Sequence, residues 1–469
     1  MKRYLGSALF MAVCILAVGC VVEPTNRANS NANVAALATP TATISPAPVS
    51  EKASTQVLTL PVLDAFLANE PFSGLLKSRL QITDEQIAKL KEAAHADTVK
   101  LSEANAGTSP GETASARTTA KETITKIIGA EKAEQLEALI AEQWSSDNES
   151  AADKTVPQSG PNDTRNPNNV PTDSRVVVNS PAYRMDVFEH GRLIKSYKIG
   201  IGYPQFPLPT GLRKARAIIF NPTWTPPDEP WVAKMKSVSA GEKIEAGSKL
   251  NPLGPVKIPI GGPSLIHGGK PPAKIGTFAS HGCVGLTTPQ VHDFAKLLAQ
   301  LGGADLTDAD IAAYERNKTE TKEVKLINAV PVELRYETIL VEDGKLHIYR
   351  DVYDQQTNTE ENVRTVLDAN GIRFDDLATE LRAQILNALA QMSSAGPAQA
   401  TPSSRNTPGD KRANASPAVS QSKTTATKPM LRAGKNQKEI VIEIATLSGR
   451  GYPAPVDLDT GVGPKKQRT

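Results

Sequence analysis

A cysteine and several histidines stand close together in the middle of the chain. Cys283 lies in FASHGCVGL (residues 278–286), with His281 two residues before it and His267 sixteen residues before it. A thiol at its ordinary pKa of about 8.5 is only slightly ionised at neutral pH, so a cysteine nucleophile needs a base beside it. These residue types fit a thiol–imidazole pair that attacks a carbonyl carbon.

The other cysteines leave Cys283 as the candidate nucleophile. The chain has three cysteines, and Cys14 and Cys20 both belong to an N-terminal segment with a basic start and an apolar run, which is typical of an export signal. Processing and modification of that segment would leave Cys283 without an intramolecular partner. Exported proteins usually pair their cysteines, so an unpaired thiol indicates reactivity.

His267 is a better candidate for the base than the nearer His281. SLIHGG (264–269) predicts a strand that ends at His267 and is followed by glycines that allow a sharp turn. Cys283 lies on the next loop, where Gly282 lets the backbone turn tightly and leaves N–H groups to face a substrate oxygen. One cysteine with scattered histidines lacks the paired spacing of a metal site, so we expect no metal.

The N-terminal part of the chain alternates between low-complexity and helical stretches. Apolar spacing of three to four residues predicts helices, and we expect a small helical hairpin there. Its ITDEQ segment is faintly similar to helical periplasmic stress and metal-resistance proteins. The expected parts are a signal (1–20), a flexible tether (21–55), a small α-helical region (56–147) and a linker (148–172).

The remainder is β-rich at first and low in complexity at the end. Alternation of apolar and polar residues predicts a mainly β domain over 173–355, interrupted by two helices. A helical extension (356–392) and a basic, largely disordered tail (393–469) follow, in which EIVIEIATL is an isolated strand-like patch.

Two segments suggest contact with the cell envelope. Ala17-Val18-Gly19-Cys20 resembles the lipobox of bacterial lipoproteins, which implies lipidation of Cys20 and a membrane anchor, although plain cleavage is the alternative. Residues 401–469 hold twelve Lys or Arg and five Asp or Glu. This tail fits an anionic lipid or envelope polymer, or simple solubility. We expect no nucleic-acid partner.

The segment IHGGKPPAKIGTFASHGCVGL resembles the signature of YkuD-type L,D-transpeptidases, and the similarity extends over roughly 173–355. The resemblance implies a YkuD-like β-sandwich with short helices and no cofactor. It also implies that Cys283 is acylated by a peptidoglycan stem peptide and that His267 is the base. Ser280, His281 and Gly282 would shape the loop and the oxyanion hole.

Two departures from the family pattern affect the expected substrate contacts. Gly285 stands where the family has Arg or Asn, and Gly269 changes the usual HGT turn. Gly268, Gly285 and Arg213 are therefore candidate substrate-binding positions, with Arg213 as a compensating cation. The resemblance predicts an exported L,D-transpeptidase. The alternatives are an L,D-carboxypeptidase that uses water and a catalytically impaired scaffold that binds peptidoglycan.

Overall fold

The computed structural model describes residues 57–101, 112–146, 167–226, 232, 237–393 and 437–462. The expected signal, the tether up to residue 56 and the candidate lipidation site Cys20 lie outside these residues. No helix within the described ranges combines the length and the apolar character that a membrane span needs.

The helical region is larger than the expected hairpin. Within the described residues, five helices surround one apolar core that includes Leu63, Leu90 and Ile124. The expectation was too small because Leu60, Leu63 and Leu67, at helical spacing in the first helix, join the same core. The helices are α1 (Leu60–Leu67), α2 (Glu70–Leu80), α3 (Asp84–Thr98), α4 (Glu112–Ile128) and α5 (Ala130–Ser146).

The mainly β class of the central domain is confirmed. In the described part of the chain, eight strands form one sheet in the order β3-β2-β1-β10-β5-β6-β7-β9, while β4 pairs separately with β8. The bounds are β1 (Arg175–Asn179), β2 (Arg184–Glu189), β3 (Arg192–Lys198), β4 (Ile201–Gly202), β5 (Gly211–Phe220), β6 (Val256–Pro259), β7 (Leu265–His267), β8 (Phe278–Ser280), β9 (Val284–Gly285) and β10 (Lys322–Arg335).

Two helices follow the short strand β9, as the sequence predicts. They are α6 (Thr288–Leu301), which the side chain of Thr287 caps, and α7 (Asp308–Arg316), which Thr307 caps. Phe294 and Leu298 of α6 join the apolar core on one face of the large sheet. The helix thereby supports the strands that carry the candidate site.

The boundary expected at residue 355 does not separate two cores. Strands β11 (Ile339–Glu342) and β12 (Lys345–Tyr349) share an apolar core with α8 (Glu360–Ala369) and α9 (Thr379–Met392). A small α/β unit therefore spans this boundary, and the helical extension is part of it.

The prediction of a largely disordered tail over 393–469 is wrong for residues 437–462. The strand β13 (Glu439–Glu443) pairs antiparallel with β12, so the strand-like patch is not isolated. Further on, Asp459 exchanges backbone hydrogen bonds with Ser196 (2.9 Å) and Lys198 (2.8 Å) on β3. This segment satisfies backbone groups of an edge strand, which is the physical reason for its order.

Candidate active site

Parallel pairing of β7 and β9 brings the candidate base and the candidate nucleophile together. Ile266 lies opposite Val284, and His267 lies opposite Gly285. Ile266 and Val284 are both fully buried in the core, so His267 and Gly285 face the other side of the sheet. Cys283 directly precedes Val284, so the pairing brings the loop that carries the thiol next to the end of β7. Cys283 is half-buried and is not part of a disulfide.

The imidazole of His267 is held by the backbone of the next residue. Its Nδ1 lies 2.9 Å from the carbonyl oxygen of Gly268. A carbonyl oxygen only accepts hydrogen bonds, so this contact fits the tautomer with the proton on Nδ1, in which Nε2 has a lone pair. This is the arrangement that a general base needs, with a third group orienting the ring.

The surroundings of His267 keep its imidazole uncharged. The side chain is 3% exposed. Burial, followed by the positive charge of Lys270, lowers the pKa of His267 to about 3, although the backbone carbonyls of Gly268 and Leu253 act in the opposite direction. Leu253 belongs to the stretch before β6 and is itself buried. The imidazole is therefore unprotonated throughout the neutral range.

The loop before Cys283 is closed by a serine. The hydroxyl of Ser280 donates to the carbonyl oxygen of Cys283 and accepts from the backbone N–H of Cys283 at 3.0 Å. Gly282 has a φ of +87°, a backbone conformation that residues other than glycine rarely adopt. Since Ser280 takes the N–H of Cys283, an oxyanion hole would have to use other N–H groups. The role expected for His281 and Gly282 there stays a prediction.

His281 lies between two aromatic rings. Its ring centroid is 5.4 Å from that of Tyr203 and 4.8 Å from that of Phe206, both edge-on. Burial, with a smaller effect from Lys270, lowers the pKa of His281 to about 3. The ring packs the loop against the segment after β4.

The helical region holds this same segment from the other side. The hydroxyl of Thr59 donates to the carbonyl oxygen of Gln205 at 2.6 Å, and that of Thr113 donates to the carbonyl oxygen of Pro204 at 2.9 Å. The carboxylate of Asp354 accepts from the N–H of Thr113 at 3.0 Å, in the first turn of α4. Two helices are thus connected through the segment that contacts His281.

The candidate substrate-binding residues Gly268 and Arg213 have other surroundings than expected. A Cβ at Gly268 would come within 2.5 Å of Val291 on α6. The backbone N–H of Gly268 donates to the carbonyl oxygen of Val256. Gly268 therefore serves close packing and orients His267. Arg213 is 1% exposed, and its guanidinium donates to the carbonyl oxygen of Thr210 at 3.4 Å. Its role as a compensating cation stays a prediction.

Lys270 is a residue of this site that the sequence did not single out. A Cβ on Gly285 would come within 2.8 Å of Cγ and 3.1 Å of Cε of Lys270. The backbone N–H of Lys270 donates to the carbonyl oxygen of Leu286 at 3.0 Å. The alkyl chain of Lys270 therefore lies across the glycine that departs from the family pattern. A charged residue three positions after His267 was the available signal.

A model of a known protein family matches the part of the chain that carries this site. The family model described as the L,D-transpeptidase catalytic domain, YkuD, matches residues 173–320. The chain contains a YkuD-type L,D-transpeptidase domain. The YkuD match ends before β10, although β10 lies between β1 and β5 in the middle of the sheet.

Solved structures similar to the YkuD domain include other L,D-transpeptidases. One from Mycobacterium smegmatis shares 16% identity at a TM-score of 0.21 and covers 34% of this chain and 58% of its own. The catalytic domain of the E. faecium enzyme shares 14% identity at a TM-score of 0.22, covering 35% and 99%.

A Mycobacterium tuberculosis L,D-transpeptidase shares 14% identity at a TM-score of 0.20, covering 34% of this chain and 57% of its own. The chain thus spans little more than half the length of the two mycobacterial proteins. Among curated proteins no match was found.

Proposed function

We propose that this protein is an exported L,D-transpeptidase that works through an acyl-enzyme on Cys283. The observation that supports the proposal is the pairing of β7 with β9 inside a YkuD domain, which brings His267 next to the loop that carries Cys283. The orientation of His267 by Gly268 supports the role of its Nε2 as a general base.

The proposed donor is a peptidoglycan tetrapeptide stem. The thiol proton of Cys283 passes to Nε2 of His267 while Sγ bonds to the carbonyl carbon that precedes the terminal D-alanine. The C–N bond then breaks, and the imidazolium returns the proton to the leaving amine of D-alanine. The product is a thioester between Cys283 and the shortened stem.

An amine of a second stem peptide, or of another envelope protein, resolves the thioester. The amine attacks the thioester carbon, the C–S bond breaks, and His267 passes the amine proton to the sulfur of Cys283. Water in place of the amine would make the same chemistry an L,D-carboxypeptidase. Each atom is accounted for without a cofactor.

The proposed location follows from the chemistry and from the N-terminal sequence. Peptidoglycan lies outside the cytoplasmic membrane, and the first twenty residues are typical of an export signal. Lipidation of Cys20 would keep the enzyme at a membrane surface. The lysines and arginines after residue 401 fit an anionic envelope polymer as a second contact.

The experiment is an assay of the purified protein with a tetrapeptide stem and an amine acceptor, read by mass spectrometry. We expect release of D-alanine and a cross-linked product, both lost in Cys283→Ala and strongly reduced in His267→Ala. His292→Asn is the matched control. His292 lies on α6 and stacks on Phe220 of β5, so this substitution should leave the rate unchanged.

The alternatives give different products in the same assay. Release of D-alanine without a cross-link identifies the carboxypeptidase. Absence of any product while the protein binds isolated peptidoglycan identifies the scaffold. Full activity of Cys283→Ala would refute the acyl-enzyme.

A further inference from the structure

Lys270 lies beside the end of β9, close to the loop that carries the candidate nucleophile. Val284 points into the core, so a side chain at position 285 would point to the side of His267. The Cγ, Cδ and Cε atoms of Lys270 all lie within 3.5 Å of the place where that side chain would begin. Lys270 thus fills the volume that glycine at 285 leaves open.

The ammonium group adds a positive charge to a site whose histidines are neutral. Lys270 lowers the pKa of both His267 and His281, so its charge acts on the two imidazoles that flank the thiol loop. Lys257 lies directly opposite His267 on β6, and burial lowers its pKa, which disfavours its charged form. An anion that arrives beside the thiol loop would therefore gain from the charge of Lys270.

The backbone fixes the lysine in this place. The N–H of Lys270 donates to the carbonyl oxygen of Leu286, and the N–H of Leu286 donates to the carbonyl oxygen of His267. These two bonds connect the stretch after β7 with the end of β9. The start of the side chain is therefore as well positioned as the base itself, which is what recognition of a specific group requires.

We propose that Lys270 binds an anionic oxygen of the molecule that reacts with Cys283, namely the terminal carboxylate of the donor peptide. The identity of that carboxylate rests on the proposed function. The existence of the anion site does not, because it follows from the position of Lys270 beside the thiol loop. The carboxylate of the leaving residue is one carbon away from the nitrogen that departs, within the reach of an ammonium beside the thiol.

The anion site can be tested without any peptide substrate. Cys283 is alkylated separately by iodoacetate, which is an anion, and by iodoacetamide, which is its neutral counterpart of similar size. The ratio of the two rates measures attraction of an anion to the thiol and cancels changes in thiol reactivity. In Lys270→Met this ratio should fall about fivefold, the size expected for one charge pair near the surface.

Two control variants separate charge from packing. Lys270→Arg keeps the charge and should keep the ratio within about twofold of the unsubstituted protein. Lys274→Met removes a half-buried lysine four residues further on, which has no effect on the pKa of His267 or His281, and should leave the ratio unchanged. An unchanged ratio in Lys270→Met, or an equal fall in Lys274→Met, would overturn the proposal.

The donor carboxylate is tested with a tetrapeptide stem and the same peptide ending in an amide. The unsubstituted protein should prefer the acid, and Lys270→Met should lose most of that preference through KM. A preference that survives in Lys270→Met overturns the assignment to this carboxylate. Failure of the unsubstituted protein to use either peptide overturns the proposed function instead, and the alkylation ratio still decides whether Lys270 forms an anion site.

Discussion

His267 and Gly285 lie opposite each other on the parallel strands β7 and β9. This pairing gives the candidate base a fixed position relative to the loop that carries Cys283. It also leaves an open volume at position 285, because glycine contributes no side chain, and Lys270 occupies that volume. The site thus combines a neutral imidazole, the loop that carries the thiol and the side chain of Lys270 at the ends of β7 and β9.

The rate at which Cys283 is alkylated should be low at acid pH, because the thiol is then not ionised. The pKa of His267 is lowered to about 3, so an imidazolium that could stabilise a thiolate is scarce above about pH 4. The rate with iodoacetamide should therefore fall steadily from about pH 8 to about pH 5. A plateau of high reactivity down to about pH 5 would mean that the resting site is a thiolate–imidazolium pair.

The free energy of unfolding should decrease in mild acid. His267 and His281 both have a folded-state pKa of about 3, below the ordinary value of about 6.5. The unfolded chain binds more protons between these values, so stability present above about pH 6.5 is lost as the pH falls toward about 3. Denaturant unfolding at several pH values measures this.

A histidine variant isolates the contribution of one of these rings. His281→Asn should show a smaller loss of stability between about pH 7 and about pH 4 than the unsubstituted protein. His190→Asn is the control, because His190 is exposed at the β2–β3 turn and asparagine accepts its positive φ. Equal losses in all three proteins would show that the pKa of His281 is not lowered.

A buried ionic cluster connects the large sheet with β11 and with the segment that follows β13. Arg184 donates to Asp186 at 2.9 Å and to Glu342 at 2.5 Å, and Tyr452 donates to Asp186 at 3.2 Å. Asp186→Ala leaves the buried guanidinium with Glu342 alone and removes the acceptor of Tyr452, so it should reduce the free energy of unfolding by about 3 kcal/mol.

An exposed ion pair provides the comparison for this cluster. Glu85 and Lys89 form an i,i+4 pair on α3 whose side chains are 77% and 58% exposed. Glu85→Ala should leave the free energy of unfolding nearly unchanged. Similar losses in Glu85→Ala and Asp186→Ala, measured by denaturant unfolding, would show that burial does not govern these pairs.

Local sequence signals predicted the parts of the fold that local interactions determine. The end of strand β7 at His267 is confirmed. The two helices expected within the β-rich domain are present as α6 and α7, and a threonine directly before each helix caps it. These caps need only neighbours within a few residues.

The features that the sequence did not reveal depend on distant pairing. Strand β13 pairs with β12, where Glu439 lies opposite Tyr349, ninety residues earlier in the chain. Lys270 meets Gly285 only because β7 and β9 are neighbours. Arg213, the expected compensating cation, lies on β5, which is inside the sheet between β10 and β6. A period of two does not specify which strands become neighbours.

Removal of residues 437–469 should destabilise the protein. The deletion exposes the edge of β12 and takes Asp459 away from Ser196 and Lys198 on the edge strand β3. Unpaired edges promote association between copies. We expect a lower melting temperature and increased light scattering, whereas removal of 463–469 alone should change neither. An unchanged melting temperature in the longer deletion would contradict the structural role of this segment.

The intact mass of the protein after reaction with a carbapenem tests the central claim most directly. Such β-lactams mimic the acyl donor, so the account predicts one covalent adduct, mapped to Cys283, absent in Cys283→Ala and formed more slowly in His267→Ala. His292→Asn should form it at the original rate. An adduct on another residue, or a folded protein that forms none, would contradict the acyl-enzyme on Cys283.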